Sequence, residues 1–285
     1  MAPRSGRAVT INSGPGRYAL FGHPVSHSWS PFIHGLFARQ FDHVVDYKVQ
    51  DVEPGDFRHA VINFFVQGGG GANVTLPHKP AAAEIVNDLS ARAERARAVN
   101  TIVRRSATEL YGDNTDGIGL VTDLTRNLGV SLEGSRLLIL GAGGATRGVL
   151  APLLEQEPRE VRIANRTPER AKGLRDEFSD LGEISASGFS EVEDRPWDVV
   201  INATAASLAG EVPELPPRAI GHDTVCYDMA YGRGDTAFMR WAAGRGSKRA
   251  YKGWGMLVEQ AAESYLLWHG VRPETRPVMG ALERL

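Results

Sequence analysis

The sequence predicts an α/β protein, because short apolar runs alternate with helix-length amphipathic runs along nearly the whole chain. This alternation is typical of mostly parallel sheets, in which a helix follows each strand and returns the chain to the same edge of the sheet. A second observation divides the chain: from Arg136, a buried-strand pattern leads directly into a glycine-rich turn and a helix. At 285 residues the chain is long enough for two modest domains.

The first half of the chain carries the alternation in order. Strand-like runs lie at 18–22, 46–52 and 71–77, and amphipathic runs at 31–41 and 54–67. Ser30 and Pro31 are typical of an N-cap and a first helical residue. They predict that the first helix begins at this point.

A β-hairpin is predicted from residues 99–104 and 109–112, with its turn at 106–108. The apolar periodicity that follows predicts a helix over 117–129, which ends at Gly129 as helices often do.

The second half begins with the strand at Arg136 and its glycine-rich turn. A strand over 160–165, a helix from Pro168, and strands over 197–204 and 224–230 follow. This order predicts a Rossmann-like domain over residues 117–252.

Residues 1–116 and 253–285 are predicted to form the other domain, an N-terminal α/β unit to which the C-terminal helices return. The final helical run carries one apolar stripe: Leu257, Ala261, Tyr265 and Trp268. Such a stripe has to pack against another surface, and the first domain is the expected one.

Composition narrows the classes of partner. A formal net charge of -2 gives no broad basic field, which argues against nucleic acid or an anionic membrane and favours a small molecule. The single cysteine, Cys226, excludes an intrachain disulfide and fits a reducing compartment. No apolar run approaches the ~18 residues that a spanning helix needs. Residues 1–17 carry arginines and no acids, which mildly resembles a transit segment, but a short tail is the expectation, and the protein is predicted to be cytoplasmic.

The glycine-rich turn is a candidate nucleotide site. Backbone amides at Gly141, Ala142, Gly143, Gly144 and Ala145, together with the helix N-terminus, can hold a pyrophosphate. Thr146 stands where the third glycine of the pattern is usual. A tight turn without a ligand is the alternative, and the strand before and helix after favour the nucleotide.

The tip of the next strand predicts which dinucleotide binds. NAD-binding chains usually place Asp or Glu there, whereas this chain offers Asn165, Arg166, Thr167 and Arg170. Guanidinium groups pair with phosphate oxygens, so the pattern favours the 2′-phosphate of NADP. In the alternative, Thr167 and Pro168 only cap a helix and the arginines are solvated.

Two polar residues stand where a catalytic cleft is expected. Lys79, between Pro77 and Pro80, does not suit a helix-surface lysine, and Asp116 stands in "NTDG". Asp116 alone is equally compatible with an Asx turn or a helix N-cap. Together the pair offers a proton donor or acceptor and a carboxylate that orients it, as a carbonyl/alcohol redox step needs.

The chain resembles the shikimate dehydrogenase family over nearly its whole length. The resemblance rests on "HSWSP", "GANVTLPHK", "AVNT", "GDNTDG", "GAGGATRG", "NRT", "NAT", "YDMAY" and "GMLVEQAA", in the family's order and spacing. It implies reversible NADP-dependent reduction of 3-dehydroshikimate to shikimate, in the pathway to aromatic amino acids. We expect a monomer or a homodimer with a small-molecule substrate.

The resemblance also implies site residues. Ser28 and Ser30 match the pair that binds the substrate carboxylate, where a helix N-terminus favours an anion. Lys79 and Asp116 match the catalytic pair. The other implied positions are Thr75, Asn100 and Gln260 at substrate hydroxyls, Tyr231 near the carboxylate, and Met229 and Gly253 at the nicotinamide. Trp29 departs from the small or basic residue expected between the serines; it is predicted to lie outside the pocket or to cover its rim.

Other dehydrogenase classes, a metal site and a non-catalytic NADP-binding protein are the alternatives. No Tyr is followed four residues later by Lys, and no His-Glu-x-x-His occurs, which argues against short-chain dehydrogenases and a catalytic zinc. His23, His27 and His34 are expected to cap and pack, so no metal site is predicted. A quinate/shikimate dehydrogenase that uses NAD is disfavoured by the strand-tip arginines and by serine at position 30. A silent NADP-binding sensor is disfavoured by Lys79 and Asp116.

Overall fold

The computed structural model describes residues 16–206 and 210–284, and most of the arginine-bearing N-terminal tail lies outside these ranges. The described chain folds around two six-stranded sheets. No helix in these ranges is both long and apolar enough to cross a membrane.

The first sheet is mixed. Its strands are β1 (Gly16–Gly22), β2 (Val45–Asp51), β3 (Gly71–Val74), β4 (Asp88–Leu89), β5 (Thr101–Arg104) and β6 (Leu110–Asp113), in the order β2-β1-β3-β5-β6-β4. β2 and β3 pair in parallel with β1, and β4 pairs in parallel with β6. β5 is antiparallel to both of its neighbours. The predicted hairpin is therefore present as β5 and β6, and the parallel strands carry the rest of the sheet.

The second sheet is parallel in every pair. Its strands are β7 (Arg136–Leu140), β8 (Glu160–Ala164), β9 (Ile184–Ser187), β10 (Val199–Asn202), β11 (Val225–Asp228) and β12 (Arg249–Lys252), in the order β12-β11-β10-β7-β8-β9. The chain moves outward from β7 to β9 and then returns to β10 on the other side. This is the Rossmann order, with its switch point between β7 and β10. The Rossmann-like prediction is confirmed.

Helices cover both sheets and join them. They are α1 (Ser30–Arg39), α2 (Phe57–Val66), α3 (Lys79–Ala83), α4 (Ala91–Ala96), α5 (Asp116–Thr122), α6 (Gly144–Leu154), α7 (Pro168–Phe178), α8 (Ala237–Gly244), α9 (Trp254–His269) and α10 (Arg276–Leu282). A π-helical turn, Asp123–Asn127, continues α5, and a 3₁₀ turn, Phe189–Glu191, follows β9.

The continuous apolar run of β7 has a direct structural explanation. Leu137 and Ile139 enter one hydrophobic cluster, whereas Leu138 and Leu140 enter another on the opposite face of the sheet. A strand buried on both faces needs apolar residues at every position. Cys226 of β11 is fully buried in the second cluster, as a small hydrophobic residue.

The C-terminal helix packs on the first unit, as its apolar stripe predicts. Ala261 and Tyr265 of α9 share a buried cluster with Ile33 and Phe37 of α1. The fold class is therefore the predicted one. The boundaries 117 and 252 between the two domains stay a prediction.

Some elements differ from the sequence prediction. Trp29, not Ser30, is the N-cap of α1, and Ser30 is already helical. The short or edge elements β4, β9, β12, α3, α4, α8 and α10 were not predicted. Four-residue strands such as β9 and β12 carry too little periodicity to be recognised, and their pairing partners are distant in sequence.

The buried His34 on α1 and the half-buried His269 on α9 are held neutral. His34 stacks on Tyr47 with 4.6 Å between ring centroids, and His269 stacks on Tyr265 at 4.1 Å. Desolvation lowers the pKa of His34 to about 3, helped by the nearby His269. Desolvation and His43 lower the pKa of His269 to about 4.

We expect these histidines to make the fold sensitive to acid. The unfolded chain binds protons near the ordinary histidine pKa of about 6.5, before the folded chain does, so stability falls as the pH drops below that value. Each group contributes a slope of at most about 1.4 kcal/mol per pH unit. The change His34→Phe should remove the contribution of one histidine to the slope of unfolding free energy against pH.

The measurement is urea unfolding between about pH 7 and pH 5 for the parent, His34→Phe and, as a control, the exposed His59→Gln. The slope of unfolding free energy against pH should shrink only in His34→Phe. An identical slope in all three proteins would contradict a neutral buried His34.

Candidate active site

Lys79 and Asp116 meet at the carboxyl-end edge of the first sheet. Nζ of Lys79 donates to Oδ2 of Asp116 across 2.5 Å, and their side chains are only 22% and 13% exposed. Lys79 is the first residue of the short helix α3. Pro80 is the second, and proline is tolerated in the first turn of a helix. Asp116 is the first residue of α5, and Thr115 is its N-cap. The N-cap alternative for Asp116 is therefore wrong by one residue. The structure thus pairs the two residues that the sequence suggested.

Asn100 connects this pair to its surroundings. Its buried amide donates from Nδ2 to Oδ1 of Asp116 at 2.8 Å and to Oγ1 of Thr115 at 2.9 Å. Its Oδ1 accepts from the backbone N–H of Thr115 at 2.9 Å. Asn100 therefore fixes the orientation of the carboxylate that faces Lys79.

Gln260 reaches the same cluster from α9. Its Oε1 lies 3.4 Å from both Nδ2 of Asn100 and Oγ1 of Thr115, and its Nε2 donates to the Leu257 carbonyl at 2.8 Å. A Cβ added at Gly119 would lie 2.8 Å from the backbone N of Gln260. Glycine at this position lets α5 and α9 approach closely enough for the cluster to form.

Ser28 and Ser30 are adjacent at the start of α1. The hydroxyl of Ser28 donates to Oγ of Ser30 at 3.1 Å, and the amide of Ser30 donates to Oγ of Ser28 at 3.2 Å. From its place before Pro31, Ser30 was expected to be the N-cap of this helix. The structure instead gives that contact to Ser28, because Trp29 occupies the N-cap position. The two hydroxyls remain together at a helix N-terminus.

Thr75 follows β3 in the segment that leads to Lys79. Its amide donates to the Phe21 carbonyl at 2.8 Å, and a Cβ at Gly22 would lie 2.4 Å from its methyl group. This packing holds Thr75 at the end of the sheet. His78, beside Lys79, is buried on Phe57 and bonded to the Val52 carbonyl, so it supports the segment from behind.

Part of this polar cluster was not predicted from the sequence. Asn73 donates to Oγ of Ser264 at 3.0 Å and accepts from the Tyr47 hydroxyl at 2.7 Å. Thr101 lies 2.7 Å from Ser264. Asn73 and Thr115 stood inside the quoted "GANVTLP" and "GDNTDG". A buried polar residue at a strand end, which has to find a partner, was the signal that could have identified them.

An aromatic row lines one side of the site. The ring of Tyr231 lies 4.9 Å from that of Trp254, which in turn meets Trp29 edge-on at 5.9 Å. Trp29 therefore packs against a side chain that lines the site. Of the two predicted locations, outside the pocket or over its rim, this contact favours the rim. Tyr231 is 39% exposed, and the desolvation of its buried part, with a smaller effect from the charge of Asp116, raises the pKa of a phenol that is already protonated at neutral pH.

The glycine-rich turn joins β7 to α6 at the switch point of the second sheet. Gly141 has φ +104, and a Cβ there would press on Thr204 and the Ala203 carbonyl. Cβ atoms at Gly143 and Gly144 would point into open space, which leaves room for a bound group beside the helix start. Thr146 is fully buried and donates to the Gly141 carbonyl at 2.7 Å, so it braces the turn in place of a third glycine. This turn has the shape that a pyrophosphate requires.

The tip of β8 leads into the same space. Oδ1 of Asn165 accepts from the amide of Ala142 at 3.2 Å, and its Nδ2 donates to the Thr167 carbonyl at 2.9 Å. Arg166 and Arg170 are exposed, and neither forms an ion pair within the described ranges. Thr167 is the N-cap of α7 without a side-chain capping bond. The donors present thus fit the 2′-phosphate of NADP, and no carboxylate occupies the tip.

Met229 and Gly253 lie side by side, because they directly follow β11 and β12, which pair in the second sheet. A Cβ at Gly253 would lie 2.5 Å from the Met229 carbonyl oxygen, so any side chain there would force the two segments apart. The predicted residues therefore form a hydrogen-bonded cluster around Lys79 and a nucleotide turn with its strand tip. The remaining ones have their own contacts: the Ser28–Ser30 pair, Thr75 at the end of β3, Tyr231 on Trp254, and Met229 beside Gly253.

Other features carry no comparable chemistry. Among residues 16–206 and 210–284 no group of three or more His, Cys, Asp or Glu side chains is placed to hold a metal. His23 pairs with Asp51 at 2.6 Å, whereas His34 is buried among aromatic rings. A groove at the opposite edge of the second sheet is rich in arginine, but Arg136 there is already paired with Glu160.

Comparison with known proteins assigns the family. Models of the shikimate dehydrogenase substrate binding domain, of shikimate / quinate 5-dehydrogenase and of the shikimate 5'-dehydrogenase C-terminal domain match residues 20–102, 123–211 and 253–283. A Methylococcus capsulatus protein named shikimate dehydrogenase (NADP(+)) is 52% identical over 269 residues, covering 94% of this chain and 96% of that protein. The chain belongs to the shikimate dehydrogenase family.

Solved structures share the fold of this chain. An Ael1 enzyme from Pseudomonas putida is 42% identical with a TM-score of 0.89, covering 94% of this chain and 98% of that one. Shikimate 5-dehydrogenase from Thermus thermophilus, in complex with NADP(H) and shikimate, is 31% identical with a TM-score of 0.83, covering 94% and 99%.

The close crossing of α5 and α9 at Gly119 leaves no room for a side chain in this shikimate dehydrogenase family member. Gly119→Ala should destabilise the protein by about 1–3 kcal/mol, because the added methyl group meets backbone atoms of α9. Turnover should fall with it, since Asp116 begins the displaced helix.

Gly173→Ala is the matched control, since Gly173 lies in α7 with nothing within 4 Å of an added Cβ. That change should be neutral or stabilise by up to about 1 kcal/mol. Thermal and urea unfolding measure both. If Gly119→Ala is as stable as the parent, the close approach of the two helices is not required.

Proposed function

We propose that the protein catalyses the reversible NADPH-dependent reduction of 3-dehydroshikimate to shikimate, as a shikimate dehydrogenase. The observation that carries this proposal is the Lys79–Asp116 pair, held by Asn100 and enclosed by hydroxyl and amide groups. The nucleotide turn and the Met229–Gly253 contact both belong to the second sheet, where a bound cofactor would lie. A family whose members act with NADP(+) provides the context for this reaction.

Lys79 moves the proton. In the oxidation direction its Nζ, when neutral, accepts the proton of the reacting hydroxyl, and in reduction it returns a proton to the same oxygen. Oδ2 of Asp116 keeps Nζ in position, and Asn100 prevents the carboxylate from rotating away. NADP, when bound, supplies the hydride acceptor or, in its reduced form, the donor.

The remaining polar groups recognise the substrate. Ser28 and Ser30 present two hydroxyls at the start of α1, and Tyr231 adds a protonated phenol, so these three suit the carboxylate. Thr75, Asn100 and Gln260 offer donors and acceptors for the ring hydroxyls. A site built from hydrogen-bonding groups rejects analogues that leave those groups unpaired.

The second sheet supplies the cofactor residues. Backbone amides of the 141–145 turn would hold the pyrophosphate, and Asn165 with Thr167 would support the adenosine ribose. Arg166 and Arg170 would pair with the 2′-phosphate, and Met229 and Gly253 would line the nicotinamide. The guanidinium groups of Arg166 and Arg170, which have no ion-pair partner among residues 16–206 and 210–284, and the open space at Gly143 and Gly144 support this assignment.

We further infer the protein's setting. Residues 1–116 with 253–285 act as the substrate domain and residues 117–252 as the NADP domain. A net charge of -2 supports the absence of nucleic-acid and membrane partners. We propose a cytoplasmic enzyme that is a monomer or a homodimer.

Initial rates with shikimate and quinate, each with NADP and NAD, test the reaction. Shikimate with NADP should be the preferred pair. Arg166→Ala combined with Arg170→Ala should raise the KM for NADP at least ten-fold, about 1.4 kcal/mol, and leave that for NAD nearly unchanged.

The control for charge loss is Arg39→Ala combined with Arg58→Ala, two exposed arginines on α1 and α2. Equal losses for NADP and NAD would refute a 2′-phosphate role. A preference for quinate with NAD would refute the proposed substrate and cofactor together.

Lys79→Ala tests the proton transfer. Turnover should fall by roughly 100-fold or more, whereas the KM for shikimate should change far less, because the other substrate contacts remain. Lys48→Ala is the control, because the side chain of Lys48 on β2 is 64% exposed. It should leave both constants unchanged. Retention of more than about a tenth of the turnover would mean that another group transfers the proton.

A further inference from the structure

Tyr231 stands at the start of a glycine-containing loop, directly after Ala230, whose carbonyl accepts from the amide of Gly253 at 3.0 Å. Residues 229–236 connect β11 to α8, and the stretch after Tyr231 reads Gly-Arg-Gly-Asp. Gly234 adopts φ +69, and a Cβ there would meet nothing within 4 Å. Glycines of this kind leave the backbone free to move unless another residue holds it.

Lys252 holds this segment. From the last position of β12, its Nζ donates to the Gly234 carbonyl at 2.8 Å and to the Gly232 carbonyl at 3.2 Å. The side chain is half-buried, and within the described parts of the chain it forms no ion pair with a carboxylate. A cationic donor to neutral carbonyls makes stronger hydrogen bonds than a neutral one. The contacts observed for this lysine therefore go to the segment that carries Tyr231.

The ring of Tyr231 rests on Trp254, two residues after Lys252. Trp254 is 9% exposed and packs edge-on against Trp29, which places it firmly in the wall of the site. The ring centroids of Tyr231 and Trp254 are 4.9 Å apart. The backbone contacts and the ring contact thus both come from residues 252–254, so the two supports move together.

We propose that Lys252 is a positioning residue: by bonding Gly232 and Gly234 it holds the phenol of Tyr231 against Trp254, ready for the substrate carboxylate. This inference rests on the proposed substrate contact of Tyr231. Lys252 acts through Tyr231 and does not touch the reacting atoms. Without it, the segment has to be ordered when substrate binds, and that ordering reduces affinity.

The consequence is a split between kinetic constants. Lys252→Met keeps the length of the side chain but removes the donors. It should raise the KM for shikimate about ten-fold, with the KM for NADP within about two-fold of the parent. Lys252→Arg, which retains several donors, should restore the shikimate KM to within about three-fold.

Lys248→Met is the matched control, because Lys248 is exposed just before β12 and forms no ion pair within the described ranges. Thermal unfolding of all three variants should match the parent. A loss of shikimate and NADP affinity in parallel, or a failure of arginine to rescue, would show that Lys252 only stabilises the fold and would overturn the proposal.

A double-mutant cycle separates this inference from the role of Tyr231. Tyr231→Phe alone should raise the shikimate KM, and adding Lys252→Met should then have little further effect, because both changes disable the same contact. Independent, additive effects would overturn the proposal for Lys252 while leaving Tyr231 in place. A silent Tyr231→Phe would overturn the substrate contact itself. A silent Lys252→Met beside an impaired Tyr231→Phe would overturn the positioning role alone.

Discussion

The close crossing of α5 and α9 is the constraint on which the rest of the structure depends. α5 leaves the first sheet with Asp116 at its start, and α9 returns from the second sheet carrying Gln260. Gly119 lets the two helices approach without a side chain between them, and a Cβ at Gly255 would lie 1.9 Å from the Asp123 carboxylate. Because glycine occupies both contact points, residues far apart in sequence reach one cluster.

That cluster is a buried polar network, and hydrogen bonds among its own members offset the free-energy cost of removing them from water. Asn100, Thr101, Thr115 and Ser264 are almost completely buried and hydrogen-bond to one another. Unpaired groups in such a place would be destabilising, whereas a satisfied network specifies one arrangement. The carboxylate of Asp116 lies at the edge of this network, so its orientation toward Lys79 is set before any ligand arrives. This arrangement provides preorganisation at the atoms that exchange the proton.

Binding groups come from both sheets, and short segments between them carry the contacts that join the two halves. Trp254, at the start of α9, contacts both Trp29 beside α1 and Tyr231 after β11, whereas the close approach of Met229 and Gly253 lies within the second sheet. Glu259 of α9 is buried and bonds to the half-buried Arg272 and to Thr275, which ties α9 to the segment that follows it. The site is therefore formed by segments that neither sheet could position alone.

The sequence by itself determined much of this protein. Strand runs buried on both faces, such as β7, the glycine turn at 141–144 and the arginines at the tip of β8 predicted the Rossmann order and the cofactor class, because these signals lie in contiguous residues. The family resemblance added Lys79, Asp116 and their neighbours. Only the tertiary structure placed Asn73 and Ser264 in the polar cluster, gave the helix-start contact to Ser28, and brought Lys252 to the carbonyls beside Tyr231. Those contacts join residues that are distant in sequence or depend on the backbone angles of a single position, and neither property leaves a periodic pattern along the chain.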